Sequence, residues 1–307
     1  MVMDKQLTKS ITIGEQQQLL QSMPVLINTP NSQQAIGSGG FGTVFKVKHR
    51  LDDKIYAVKR VQFGEFSEEK KQKVINEVKI LSKLDSNFVV KYYNSWFESN
   101  HMFIHMEYCN QTLATVIKDK AIVFGRQSSE AMNLYEYYIS CEILRELLQC
   151  IQYIHALNPP LIHRDLKPAN VLIVTNANNC RFLKLCDFGV AVEHNMVSMS
   201  HTSSVGTSQY MAPEVYESRY DTKVDIYSLA VISQHLFDLF NIDNPLETYL
   251  LTTFYDNFNK LYQTIGSMSQ GIADNRPTSG QVLQDCNQWS VGKHLLMEND
   301  KELNKNF

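Results

Sequence analysis

The sequence predicts an α+β fold in two unequal lobes: a small five-stranded antiparallel sheet with one helix, then a large, mainly helical part. Three observations predict it. Between residues 36 and 107, short runs rich in Val, Ile, Phe and Tyr alternate apolar and polar positions, the pattern of half-buried strands. After residue 111 the apolar residues recur mostly at helical spacing. Within that second region one polar stretch, Ile162-His163-Arg164-Asp165-Leu166-Lys167-Pro168-Ala169-Asn170, is followed by the apolar run Val171-Leu172-Ile173. It reads as a polar loop pinned between two buried strands, with an acid, a lysine and an asparagine aimed at one spot. Phosphoryl transfer needs such a set: a carboxylate to orient the attacking hydroxyl, a cation for the moving phosphate and an amide ligand for a metal.

Composition sets the bounds. The 307 residues, 44% of them apolar, suffice for one large or two modest domains. A net charge of −3 argues against nonspecific nucleic-acid binding. The six cysteines show neither metal-type CxxC spacing nor the density of a disulfide scaffold, so reduced thiols in a cytoplasmic or nuclear protein are expected. Met1 to Ser10 lacks the apolar core of a signal peptide, and no apolar run approaches the roughly 20 residues of a membrane span.

Residues 1–30 are Gln-rich and carry no chemistry, apart from a brief helix expected over Glu15 to Met23. Ile36 opens the glycine cluster Gly37-Ser38-Gly39-Gly40-Phe41-Gly42, followed by the alternating run Thr43-Val44-Phe45-Lys46-Val47. A dinucleotide fold would place a helix after the glycines. Here a strand follows, which predicts strand-turn-strand with backbone amides over phosphates.

The strand Ile55 to Val61 puts Ala57 and Lys59 on one face, where small Ala57 leaves room for a base and Lys59 reaches phosphates. A solvated edge lysine is the plainer alternative for Lys59 alone. The following helix, Ser67 to Leu84, carries Val74, Val78 and Leu81 on one stripe with Glu77 inside it. A carboxylate on a core-facing stripe is unfavourable unless paired, and Lys59 is its natural partner. Strands over 89–93 and 102–106 complete the sheet.

Beyond it, a polar loop is expected over 118–133 and a helix over Leu134 to Leu157 with Ile139, Ile143, Leu147 and Ile151 inward. The short strand Leu183 to Cys186 delivers Asp187-Phe188-Gly189, whose carboxylate joins Asn170 as a second metal ligand. Residues 190–209 are rich in Ser, Thr, Met and His and end at Tyr210-Met211-Ala212-Pro213-Glu214. The run Val224 to Phe240 is apolar nearly all round, which predicts a buried central helix with Asp225 at its start. Residues 292–307 read as a polar tail.

Taken in this order across residues 36–290, these motifs resemble a eukaryotic serine/threonine protein kinase domain with its two-lobed fold. The resemblance implies ATP and Mg²⁺, with Asp165 and Lys167 catalytic and Asn170 and Asp187 on the metal. It implies a nucleotide site drawn from Ile36 through Val44, Ala57, Lys59, Met106, Glu107 and Cys109, with residues 107–110 as the hinge. His163, Arg164, Phe188 and Gly189 are implied as supporting residues. Lys59 would pair with Glu77, Asp225 would brace the catalytic-loop backbone, and Arg276 would pair with Glu214. The implied boundaries are an extension over 1–30, a kinase domain over 31–290 and a tail over 291–307. The small lobe would span 31–106 and the large lobe 111–290.

Among kinases the chain resembles those acting on the α subunit of translation initiation factor 2. The stretches that carry this are Val90-Lys91-Tyr92-Tyr93-Asn94-Ser95-Trp96, His201-Thr202-Ser203-Ser204-Val205-Gly206-Thr207 and Tyr220-Asp221-Thr222-Lys223-Val224-Asp225. This resemblance implies translational control under stress, Thr202 as an activating phosphorylation site and a homodimer. It implies no membrane partner and no nucleic acid bound directly. A Wee-type cell-cycle inhibitory kinase and a pseudokinase scaffold are the alternative readings. The segment Asn241 to Gln263, with Leu246, Tyr249, Leu250, Phe254, Tyr255, Phe258 and Tyr262, offers either an exposed docking patch or core closing the base of the domain.

Overall fold

The computed structural model describes residues 34–39, 42–49, 52–174, 182–194, 206–217 and 220–297. Residues 1–30, Gly40, Phe41 and the activation-segment candidate Thr202 lie outside that set. Residues 34–68 with 92–108 form one compact unit, and residues 69–91 with 109–297 a second.

The first unit is the five-stranded sheet. Its strands are β1 (Gln34–Gly39), β2 (Gly42–Lys48), β3 (Ile55–Val61), β4 (Tyr92–Glu98) and β5 (His101–Glu107). All pair antiparallel in the order β1-β2-β3-β5-β4. The fourth strand starts three residues later than the 89–93 run predicts. Val90 donates its N–H to Leu185 O and Leu185 donates to Phe88 O, so those residues belong to the second unit. Ser99 and Asn100 turn the β4–β5 hairpin with φ of 46° and 63°, the left-handed pair that matches strand twist.

In the second unit, α1 (Glu68–Lys83) buries Val74, Glu77, Ile80 and Leu81. The buried line therefore passes through Glu77, and Val78 is only partly covered. Helix α2 (Leu113–Val123) occupies residues 118–123 of the expected 118–133 loop. Thr112 starts it, its hydroxyl accepting the Thr115 N–H in a reciprocal cap, and apolar Ala121, Ile122 and Val123 extend it.

Helix α3 (Leu134–His155) and helix α4 (Lys223–Leu236) form the centre of this unit. Ile143, Leu147 and Ile151 are buried on α3 as the spacing requires, but Ile139 is exposed. Short strands β6 (Gln111–Thr112), β8 (Val171–Ile173) and β9 (Leu183–Leu185) make a three-stranded sheet. Strand β7 (Leu161–Ile162) pairs with β10 (Val192–Glu193). These two small sheets flank the polar loop, because β7 leads into it and β8 leaves it.

The 241–263 region is not one helix. It forms α5 (Pro245–Tyr249), a break, and α6 (Tyr255–Met268). Tyr249, Phe254 and Phe258 are buried, and Tyr249 stacks on Phe258 with centroids 3.7 Å apart. Those aromatics are core; Leu250 and Leu251 are exposed between the helices. After α7 (Ser279–Gln284) and α8 (Cys286–Trp289), the chain continues to pack. Val291 and Leu296 are buried and residues 293–297 are helical, so the polar tail starts later than residue 292.

Candidate active site

In the second unit the polar loop brings Asp165, Lys167 and Asn170 together with a residue far along the chain. Lys167 Nζ donates to Asp165 Oδ2 at 2.7 Å and to Thr207 Oγ1 at 2.9 Å. Thr207 Oγ1 in turn donates to Asp165 Oδ1 at 2.7 Å. Asn170 Nδ2 donates to the Asp165 carbonyl at 2.9 Å and to Oδ2 at 3.1 Å. A carboxylate oriented by three donors cannot rotate freely, and Oδ1, with one donor, retains room to accept another.

In the sequence Thr207 stands only at the end of the stretch that carries the family resemblance, and it is the site residue that spacing missed. The local signal for it is Gly206. That glycine has φ of 117°, and a Cβ there would stand 2.4 Å from the Arg164 carbonyl. Only glycine lets the chain pass so close to the loop and deliver Thr207. Gly206→Ala is expected to push Thr207 off Asp165. The check is phosphoryl transfer falling much more than the unfolding midpoint.

Asp225 holds the loop from below. It is 0% exposed, and its oxygens accept the N–H of His163 at 2.9 Å and of Arg164 at 3.0 Å. His155 Nε2 lies 2.8 Å from the same carboxylate. Arg164 has φ of 68°, a strained conformation for a non-glycine residue, so its backbone needs these contacts. Burial alone would raise the Asp225 pKa, but His155 and the His163 amide outweigh it and hold it below the usual carboxylate range. Because the folded value is depressed, the stabilisation is full above the unfolded value near 4 and is lost as pH falls through the folded value. The stability gap between wild type and Asp225→Asn should therefore be constant from pH 7 to about 5 and shrink below about 4, as denaturant titrations at each pH will show.

Asp187 is placed by Cys186. The Cys186 N–H donates to the Asn170 carbonyl at 3.0 Å, and the Cys186 carbonyl lies 3.0 Å from His163 Nε2. Both sides of that residue are tied to the loop, which sets Asp187 beside Asn170. Asp187 takes φ of 64°, a second left-handed residue at the site. Phe188 is fully buried with its ring 4.9 Å from that of His163. Glu77 belongs to this neighbourhood: a Cβ on Gly189 would lie 3.5 Å from both Glu77 Oε2 and Asp187 Oδ1. Strand β9 is aligned by buried Glu146 on α3, whose Oε2 accepts the N–H of Phe182 at 2.9 Å and of Leu183 at 3.0 Å.

Asn170 and Asp187 suit a hard divalent cation. The Asn170 amide nitrogen is committed to Asp165, which turns its oxygen to the other side, and Asp187 adds a carboxylate. Among the described residues there is no group of three or more His, Cys, Asp or Glu that would make an all-protein metal cage. A cation shared with substrate phosphates takes only one or two carboxylates from protein, so the donor set fits.

The first unit supplies a different set. Lys59, 8% exposed, stands in register with Val44 on β2 and Ile104 on β5; Ala57 is level with Met106. These residues share one face, and Lys59 is a buried cation rather than an edge lysine. Gly42 has φ of 143°, and a Cβ there would meet the Arg60 carbonyl at 2.2 Å, so the start of β2 passes this close to β3 only with glycine. Ile36, Gly37 and Ser38 are exposed on β1, and Thr43 is half-buried on β2. Glu107 ends β5, and the chain enters the second unit at Cys109.

Elsewhere in the second unit Arg276 Nη1 and Nη2 grip Glu214 Oε1 and Oε2 at 2.5 and 2.8 Å. This fixes the segment after Thr207 to the residues before α7. Arg164 Nε donates to Val190 O at 2.5 Å and Nη1 to Tyr220 Oη at 3.1 Å.

A hydroxyl-orienting carboxylate backed by a lysine and a threonine, beside two hard oxygen donors, defines a phosphotransferase. Comparison with known proteins narrows the class. The sequence model of the protein kinase domain matches residues 31–288. The chain is 31% identical over 264 residues to the interferon-induced, double-stranded RNA-activated protein kinase of Mus musculus, covering 80% of this chain and 45% of that protein. It is 36% identical over 218 residues to the serine/threonine-protein kinase dst2 of Dictyostelium discoideum, covering 69% of this chain and 17% of that one. It is 38% identical over 197 residues to the serine/threonine-protein kinase cst-1 of Caenorhabditis elegans, covering 64% and 36%. The chain thus spans less than half the length of each of these relatives. It belongs to the protein kinase family, and its domain is of the ATP-dependent serine/threonine class.

Proposed function

We propose that the chain transfers the γ-phosphoryl group of ATP to serine or threonine hydroxyls of a protein, with Asp165 orienting the hydroxyl and accepting its proton. The observation that carries this is the Asp165 carboxylate fixed by Lys167, Thr207 and Asn170. Lys167, whose other contacts are Asp165 and Thr207, offers its remaining proton to the transferring phosphate. Asn170 and Asp187 would hold Mg²⁺, which would offset the charge of the phosphates. In the first unit Lys59 would bind phosphates, the β1–β2 turn would cover them with backbone amides, and Ala57 and Met106 would bound the base.

Arg164 gives the site a switch. Its guanidinium would donate to a phosphate on the 190–209 segment through the N–H groups not used by Val190 and Tyr220. Thr202 lies five residues before Thr207 and is the residue we assign to that phosphate. Mass spectrometry after incubation with Mg²⁺ and ATP should find phosphate on Thr202, and Thr202→Ala should lose most activity toward added substrate. Full activity in Thr202→Ala would refute the switch.

For the substrate we infer the α subunit of translation initiation factor 2, in a stress response that lowers translation and with a homodimer as the working form. Support comes from the motif resemblance and from likeness to the double-stranded RNA-activated kinase. The likeness to dst2 and cst-1 is of similar strength over shorter spans, so the discriminating experiment is direct. Purified chain with Mg-ATP should phosphorylate that subunit on serine, and its expression in cells should depress general translation. Efficient modification of a generic substrate protein, with no phosphate on the initiation factor, would overturn the substrate and leave the kinase assignment standing.

A further inference from the structure

Two residues beyond Thr207, Gln209 Nε2 lies 3.0 Å from Nε2 of His235 at the end of α4. His235 forms part of the wall of a cavity of about 340 Å³ that is also lined from α2 and the loop after it, by Lys118, Ile122 and Arg126 among others. The cavity therefore adjoins the segment that delivers Thr207 to Asp165. Thr207 Oγ1 lies 2.7 Å from Asp165 Oδ1, so residues flanking an acceptor hydroxyl at Asp165 come within reach of this segment.

The charges decide what the cavity takes. Among the described residues Asp238 is the one acidic side chain in its lining, and Asp238 Oδ2 already accepts from Lys120 at 2.7 Å and Arg126 at 2.5 Å. The same two cations hold Glu136 at 3.3 and 2.5 Å, so this buried four-residue cluster sums to zero. Lys118 is exposed at the rim and makes no ion pair among the described residues. Burial holds the His235 pKa below the ordinary imidazole value, which leaves the ring a hydrogen-bonding group rather than a cation near pH 7. The uncompensated charge is thus the Lys118 ammonium, next to an apolar shoulder at Ile122, which is 79% exposed.

We propose that this cavity is a substrate subsite that receives an acidic side chain close in sequence to the phosphorylated serine or threonine. A lysine or arginine there would face Lys118 with no carboxylate left to pair, because Asp238 is spent on Lys120 and Arg126. The proposal rests on the phosphoryl-transfer reading given above, and deepens it by naming the sequence class it selects.

The test uses the full 307-residue chain and synthetic peptides with one serine, carrying a single Glu, Gln or Lys scanned along both flanks. At one position Glu should raise kcat/KM about five-fold over Gln, with Lys below Gln, the scale of one partly exposed ion pair. Lys118→Glu should reverse that order. No advantage for Glu at any position, or an advantage that survives Lys118→Glu, overturns the subsite. If neither the peptides nor a protein substrate is phosphorylated, the transfer reading fails, and fluorescence anisotropy of the same labelled peptides decides the subsite in either case. Tighter binding of the acidic peptide, lost in Lys118→Glu, supports it, and equal binding of the Glu and Lys peptides refutes it.

Discussion

Asp165→Asn is expected to lower phosphoryl transfer roughly a thousand-fold or more while leaving the fold in place. The substitution changes little in size but replaces an acceptor oxygen with an N–H₂ group. Lys167 and the Thr207 hydroxyl both donate to that carboxylate, so the amide would meet donors with a donor. The charge that accepts the substrate proton disappears at the same time. Asp165 is partly solvent-accessible, so no buried charge is stranded and the unfolding midpoint should move little. Thr207→Ala should do less, since Lys167 and Asn170 still hold Asp165. The measurement is kcat for each variant beside its thermal unfolding curve. An Asp165→Asn variant with near-wild-type kcat would remove this carboxylate from the chemistry.

The largest effect on stability is expected from Arg276→Ala, at about 3–5 kcal/mol. Arg276 is 1% exposed and its guanidinium is saturated with partners. Nε donates to Gln270 O at 2.7 Å, Nη1 to Lys223 O at 3.0 Å and Nη2 to Gly271 O at 3.2 Å, besides the two bonds to Glu214. Its plane also lies 5.0 Å from the centroid of the Tyr227 ring. Truncation strands the Glu214 carboxylate and three carbonyls in a dry site, which is why it should exceed an ordinary surface ion-pair loss. Arg276→Lys should recover only part, because an ammonium cannot reproduce the fork. Urea unfolding of the three proteins gives the comparison, and a loss under about 1 kcal/mol for Arg276→Ala would show that water replaces these contacts.

These two residues show what the sequence could reveal. Asp165, Lys167 and Asn170 stood out because a loop's chemistry is compressed into six residues between apolar runs. Asp225 stood out because a carboxylate opens an otherwise apolar helix. Arg276 and Glu214, 62 residues apart, were legible only through the family resemblance; either alone reads as a surface charge. Thr207 closes on Asp165 across 42 residues, and Lys120 meets Asp238 across 118, so no local pattern announces them. The sheet was legible from alternation, but its fourth strand was placed too early because Val89 and Val90 are as apolar as strand residues and bridge to Leu185 instead. The aromatics of 241–263 had two readings in sequence. Tyr249, Phe254 and Phe258 are core, while Leu250 and Tyr262 of the same run are exposed, a matter of which face of two short helices turns inward.

If Asp165 and its neighbours carry phosphoryl transfer to a protein hydroxyl, the label of γ-labelled ATP must reach serine or threonine. The most direct measurement incubates wild type and Asp187→Asn with Mg²⁺, γ-labelled ATP and a protein substrate, then maps the label by mass spectrometry. Label on serine or threonine with wild type, reduced at least a hundred-fold in Asp187→Asn at equal thermal stability, is the predicted result. Equal label from both proteins would rule out this role for the site, as would ATP binding by wild type with no label on any hydroxyl.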